Sequence, residues 1–167
     1  VNKFERIMAE YKLTLNPLRV RVVTTKSSMQ SWNYKNLLPG RELTAICQAI
    51  AGDITYVHIS GIRHYVFTLI DLYSNRIIGY DLVDNMKSSV AESVLLRAID
   101  LRGLEAMEGC IHLTDGAGQY FSKVYIDLIT TRFKMQMSCA KSCMENGYAE
   151  QRNATIKHHF MPLIKRQ

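Results

Sequence analysis

The segment 53-DITYVHISGIRHYVFTLIDLYSNRIIGYDLV-83 decides the fold. Residues 53–60 are rich in β-branched and aromatic side chains and run into Gly61, which predicts a strand followed by a turn. Residues 65–72 form a second, largely apolar run. Ser74 and Asn75 then supply turn chemistry, and residues 76–83 resume the strand pattern. The second and third strands are therefore expected to pair as an antiparallel hairpin.

Working outward from this segment, strands and helices alternate. Residues 87–102 read as a helix with one apolar stripe, Val90, Val94, Leu95, Ala98 and Leu101, stopped by Gly103. Residues 110–114 read as a short buried strand ending at Asp115, and 116–119 as a glycine-containing loop. A second helix is expected over 121–132, with Val124, Ile126, Leu128 and Ile129 available for burial, and a fifth strand over 133–137. A polar loop, 138–142, leads to a last helix that Pro162 ends or kinks near Phe160. Upstream, Phe4, Ile7, Met8 and Tyr11 mark a short helix in 1–12. Pro17, Pro39 and a Ser-rich patch make 13–48 an extended linker, from which Trp32 and Tyr34 pack onto the domain. The division is thus 1–48, helix and linker, and 49–167, the core. A hairpin followed by alternating strand and helix predicts an α/β fold, a mixed sheet of about five strands with helices on both faces. That is the ribonuclease-H-like plan.

Composition narrows the function classes. A chain of 167 residues that is 47% hydrophobic fits one globular domain plus a tail. No run of eighteen apolar residues is present, so no membrane span is expected. The first residues carry no signal pattern, which makes a cytoplasmic setting the expectation. Cys47, Cys110, Cys139 and Cys143 sit in separate contexts and read as reduced thiols. The net charge of +6 is unevenly spread: residues 1–52 carry +5, residues 53–110 carry −3 and residues 111–167 carry +4. An acidic middle between basic flanks suits a metal-holding centre edged by phosphate-binding surface, and also suits many ordinary soluble proteins.

Three acids stand where this element order can make side chains converge: Asp53 on the first strand, Asp115 at the end of the fourth, and Glu150 on the last helix. Lys157 follows Glu150 by seven residues, which returns it to nearly the same helical stripe. Three carboxylates close together repel unless divalent cations sit among them. Mg²⁺ or Mn²⁺ accepts all-oxygen ligands and leaves positions for water and phosphate. Two such ions serve phosphodiester chemistry. The plainer reading makes Asp115 a turn cap and Asp53 and Glu150 surface acids.

Four blocks in order resolve these alternatives by resemblance: Asp53-Ile54-Thr55-Tyr56-Val57; 69-LIDLYSNRIIGY-80; 112-HLTDGAGQYFS-122; and 141-KSCMENGYAE-150 with Asn153, Thr155, Ile156 and Lys157. Together they resemble the catalytic cores of bacterial insertion-sequence transposases in the retroviral-integrase-like superfamily, which carry an Asp, Asp, Glu triad. Asp115 and Glu150 stand at close to the spacing for which that group is named. The resemblance implies that Asp53, Asp115 and Glu150 are the catalytic, metal-coordinating residues, holding Mg²⁺ or Mn²⁺ as two ions. It implies that Lys157 contacts donor DNA, with Asn153, Arg152 and Lys141 on the same DNA-binding surface. The implied reaction is metal-dependent phosphodiester hydrolysis and DNA strand transfer, by a homo-oligomer assembled on terminal-repeat and target DNA. The opening helix would then be the tail of an upstream DNA-binding region.

The chain departs from the family pattern at Ile50 (family Trp), Leu113 (His), Ala117 (Gly) and Ala154 (Gly). These changes keep a second reading open, a catalytically silent DNA-binding relic of such a transposase. A ribonuclease H acting on hybrids shares the metal chemistry, but the block around Lys157 speaks against it. Asp71 is expected to be structural, and Glu145 with Asn146 to cap the last helix. Zinc on Cys139, Cys143, His158 and His159 is disfavoured, since adjacent histidines on a helix diverge. His58, His64 and His112 read as strand or turn residues, His112 being near enough to the acids to contact substrate.

Overall fold

The structure, a computed structural model, describes residues 31 and 33–140. Five strands form one mixed sheet: β1 (Ala49–Ile59), β2 (Ile62–Asp71), β3 (Ile77–Val83), β4 (Ile111–Thr114) and β5 (Gln136–Cys139), in the order β3-β2-β1-β4-β5. The expected β2–β3 hairpin is antiparallel, as is β1–β2, while β4 and β5 add in parallel. β1 begins at Ala49, four residues before the strand signal at Asp53. Ala49, Ala51 and Gly52 have little β propensity, but neighbours on both sides and burial on both faces impose strand geometry on them.

Strand alternation separates two faces. On one, Ile50, Phe67, Leu69 and Ile78 join the main core with α1 (Ser88–Arg102) and α3 (Lys123–Asp127). On the other, Ala49, Ala51, Leu72 and Ile111 form a smaller cluster against which Leu37, Leu38 and Leu43 pack. That contact, with Tyr34 lying 5.4 Å from Phe121, shows the described end of the expected linker lying on the domain rather than apart from it. Trp32, the opening helix and the last helix lie outside the described residues.

α1 buries Ala91, Val94, Leu95, Ala98 and Ile99, so the stripe includes Ala91 and Ile99, whereas Leu101 is half exposed. The contact sits on β3, where a Cβ added to Gly79 would stand 2.5 Å from the Val94 backbone oxygen. A short turn, α2 (Leu104–Met107), links α1 to β4. The expected helix over 121–132 is interrupted. It is α-helical only over α3, capped by the Ser122 hydroxyl on Tyr125 N–H at 3.2 Å, and widens into a π turn over Leu128–Arg132. Tyr125 and Ile129, four residues apart, face inward, and Val124 is 62% exposed on the outer side of α3. Phe133 then closes the turn and Lys134 takes a left-handed φ of 51°, so the fifth strand starts at Gln136, three residues later than its apolar run suggests.

Asp71 is fully buried at the end of β2. One carboxylate oxygen accepts the Cys47 N–H at 2.7 Å, and the other accepts the Ser74 N–H and hydroxyl, both at 2.7 Å. Burial raises its pKa, but these hydrogen bonds and the Arg102 charge outweigh it and leave the carboxyl below its ordinary value. Asp71 therefore ties the β2–β3 turn to the entry of β1, the structural role expected for it.

His112 does not reach substrate. It has no exposed surface, its Nε2 lies 2.7 Å from the Tyr125 hydroxyl, and burial lowers its pKa to about 3 against a weak opposing pull from the Ile50 backbone. The sequence places His112 one position out of phase with Leu113, and in a strand that single step turns the ring to the helix-covered face.

Two measurements test this core. Gly79→Ala must push α1 off the sheet, and we expect a loss of about 1–3 kcal/mol in urea unfolding; unchanged stability would contradict the close contact. For His112 the folded pKa lies below the unfolded value of about 6.5. As pH falls from about 6.5 towards 3, the unfolded chain binds a proton that the folded chain resists, so stability drops across that window. His112→Gln removes the titrating group, and its unfolding free energy should vary less between pH 6.5 and 4 than that of the wild type.

Candidate metal centre

The parallel pairing of β1 with β4 builds the site. Its ladder runs Ala49 opposite Ile111, Ile50 opposite His112 and Ala51 opposite Leu113. Past the last of these pairs, Asp53 follows two residues on along β1, and Asp115 is the first residue after β4. By alternation Asp53 follows Ala49 and Ala51, which on β1 belong to the smaller cluster. Both acids are partly exposed, where a solvated ion can reach them. β5 extends the same end of the sheet, and Ala140 N–H bonds the Thr114 carbonyl at 2.8 Å, which leads the chain out beside Asp115.

Asp115 is held by a tight turn. Its Oδ1 accepts the Ala117 N–H at 3.0 Å, and Gly116 takes a φ of +85° that an L side chain rarely adopts. A Cβ there would also lie 3.2 Å from the Ser31 hydroxyl and 3.4 Å from Cys139 Sγ. The glycine that sequence comparison places at 117 is Ala117, buried and compatible with this turn; Leu113 is likewise buried in the sheet. Both departures are thus accommodated within the fold.

Beneath the acids lies a buried aromatic group. Tyr120 is 2% exposed and stands edge-on to His112, with centroids 5.7 Å apart, and to Tyr125 at 5.6 Å. Burial raises the Tyr120 pKa well above the ordinary phenol value, and Tyr125, Asp53 and Asp115 each add to the rise. The phenol therefore stays neutral and lies within electrostatic reach of both carboxylates. Its role was not read from the sequence; Gly52 immediately before Asp53 was the available signal, since a Cβ at Gly52 would meet His112 Cε1 at 2.8 Å and Tyr120 Cε1 at 3.3 Å.

Carboxylates such as these are hard oxygen donors of the kind a divalent cation such as Mg²⁺ accepts. Among the described residues no group of three His, Cys, Asp or Glu side chains that could hold a metal ion is assembled. Glu150, Lys157, Asn153, Arg152 and Lys141 lie outside the described residues, as do Glu145, Asn146, Cys143, His158 and His159. Cys47, Cys110 and Cys139 are free thiols, all buried. A cleft of about 420 Å³ lined in part by Arg41, Ile46, Cys47, Glu108 and Cys110 sits where β1 and β4 begin, away from the acids. No described helix is long and apolar enough to cross a membrane.

Known proteins resemble this chain in sequence and in fold. The chain is 26% identical over 106 residues to a protein described as a transposase candidate, InsK of insertion sequence element IS150, from Escherichia coli strain K12. That alignment covers 63% of this chain and 37% of the relative, so the chain spans well under half of that protein's length. Among solved structures, the HTLV-2 integrase catalytic core domain in complex with magnesium, in its trimeric form, superposes with a TM-score of 0.55. The identity is 19%, and the match covers 66% of each chain. A chain of the simian T-cell lymphotropic virus intasome in complex with the PP2A regulatory subunit B56 gamma gives a TM-score of 0.62 at 16% identity, over 94% of this chain and 51% of that one. These likenesses establish the ribonuclease-H-like fold of integrase cores. Residues 46–148 match the family model described as the integrase core domain, and on that match, which takes in both strand-end acids, the chain belongs to the integrase core domain family.

Proposed function

We propose that the chain is the catalytic core of an insertion-sequence transposase, which cuts DNA at the ends of its element and joins those ends to target DNA. The observation that carries this reading is that Asp53, two residues beyond the last β1–β4 pair, and Asp115, the first residue past β4, both follow the C-terminal end of one parallel ladder. The IS150 relative and the magnesium-bound integrase core support it.

Asp53 and Asp115 would hold the Mg²⁺ or Mn²⁺, with Glu150 as the third carboxylate. When bound, two such ions supply the positive charge that steadies the attacking and departing oxygens of an in-line displacement. The chain's own contribution is positional. The Asp115 turn fixes one carboxylate through the Ala117 N–H, and β1 fixes the other. The Tyr120 phenol and the uncharged His112 ring place no competing cation behind them. In the first step water attacks phosphorus and the bond to the 3′ oxygen breaks, leaving a 3′-hydroxyl. That hydroxyl then attacks a target phosphate, whose bond to the target strand's own 3′ oxygen breaks; the attacking hydroxyl gives its proton to solvent and the departing oxygen takes one up, with no protein–DNA covalent bond. Lys157, Asn153, Arg152 and Lys141 would bind the phosphates, as a homo-oligomer brings two DNA ends together. Residues 1–48 would belong to an adjoining DNA-binding region.

The test is Mn²⁺- or Mg²⁺-dependent nicking and joining of duplex DNA carrying the element's ends. Asp53→Asn and Asp115→Asn should each lower the rate on the order of a hundredfold or more, the scale of removing one preorganised group at a reacting centre, while the thermal unfolding midpoint stays near wild type. A wild-type chain that binds DNA with a steep salt dependence but never cuts it, with either metal, would favour the silent relic instead.

A further inference from the structure

We propose that Tyr120 is the positioning residue for the Asp53–Asp115 pair, its ring wedged between the backbone just before one acid and the turn that holds the other. On the β1 side the ring rests against the bare backbone of Gly52, so close that a methyl group there would lie 3.3 Å from Cε1. Through its main chain the same residue joins the Asp115 turn: the Tyr120 backbone N–H bonds the Ala117 carbonyl at 3.1 Å, and the Ala117 N–H in turn bonds Asp115 Oδ1 at 3.0 Å. The ring cannot tilt freely. His112 stands edge-on to it with an interplanar angle of 86°, Tyr125 packs at 61°, and those two are joined to each other by the 2.7 Å Nε2–hydroxyl contact. Burial at 2% exposure leaves no solvent path by which the wedge could relax. A shift of this one ring therefore moves the backbone on both sides of the acidic pair. The rise of the phenol pKa through burial, Tyr125 and both acids agrees with this placement.

The proposal rests on reading Asp53 and Asp115 as a cation-binding pair, and its test separates the two claims. Mn²⁺ affinity is measured by electron paramagnetic resonance for wild type, Tyr120→Phe and Tyr120→Leu, with circular dichroism and thermal unfolding to check the fold. Tyr120→Phe keeps the wedge and should bind Mn²⁺ within about twofold of wild type. Tyr120→Leu should bind about 10- to 100-fold more weakly, the range for groups that orient metal ligands. A folded Tyr120→Leu with wild-type affinity would overturn the proposal, as would equal losses in both variants. A second measurement needs neither metal nor a stable Tyr120→Leu: 3-fluorotyrosine at position 120, read by ¹⁹F NMR in the metal-free chain. Asp53→Asn and Asp115→Asn should each shift that resonance, and indifference to both would overturn the wedge. If wild type binds no Mn²⁺ while both shifts appear, the proposed function fails and the wedge stands.

Discussion

The parallel pairing of β1 with β4 is the constraint on which the rest of the structure depends. These strands are far apart in sequence, and each carries its acid just past the last paired residues. Because strand side chains alternate with a period of two, a slip of one residue would send Asp53 and Asp115 to opposite faces. The structure resists such a slip from several directions. Ile50 and Leu113 are fully buried on opposite faces, and Ile111 N–H is tied to the Gln48 carbonyl at 3.0 Å. Asp71 anchors the start of β1 by binding the Cys47 N–H, where the backbone turns through a φ of +64°. A buried carboxylate far from the acidic pair thus helps fix the register that creates it.

The two sheet faces divide the work. The helix-covered face carries the bulk of the core and the polar cluster of His112, Tyr120 and Tyr125, whose groups remain uncharged. Burial keeps this cluster uncharged, so it places no positive charge near Asp53 and Asp115, as the proposed cation site there requires. Small residues serve the same end: Gly79 lets α1 lie against the sheet, and Gly52 makes room for the aromatic cluster.

Much of this was legible in the chain. The three-strand opening, the alternation that follows and the position of Asp115 at a strand end follow from periodicity and turn chemistry. The family blocks pointed to the same two acids. What was not legible depended on packing. Local pattern cannot show that Ala49–Gly52 belongs to β1, because those residues become strand only through neighbours on both sides. In the apolar run after Ser122 the buried stripe is Tyr125 and Ile129, while Val124 faces out, a choice of face that only the packing settles. His112 looked close to the acids because it is close in sequence, yet strand alternation puts it on the other face. Tyr120 and Tyr125 carried no motif that marks them as partners of the site; their meaning is spatial.

The most direct test is diffraction from crystals grown with saturating Mn²⁺, using the anomalous signal to locate the ion. The register of β1 and β4 predicts a peak shared between carboxylate oxygens of Asp53 and Asp115, at close to the 2.0–2.1 Å typical of Mg²⁺ coordination. Peaks confined to other parts of the surface, or none between these two residues at saturation, would contradict the claim that this strand pairing builds a metal centre.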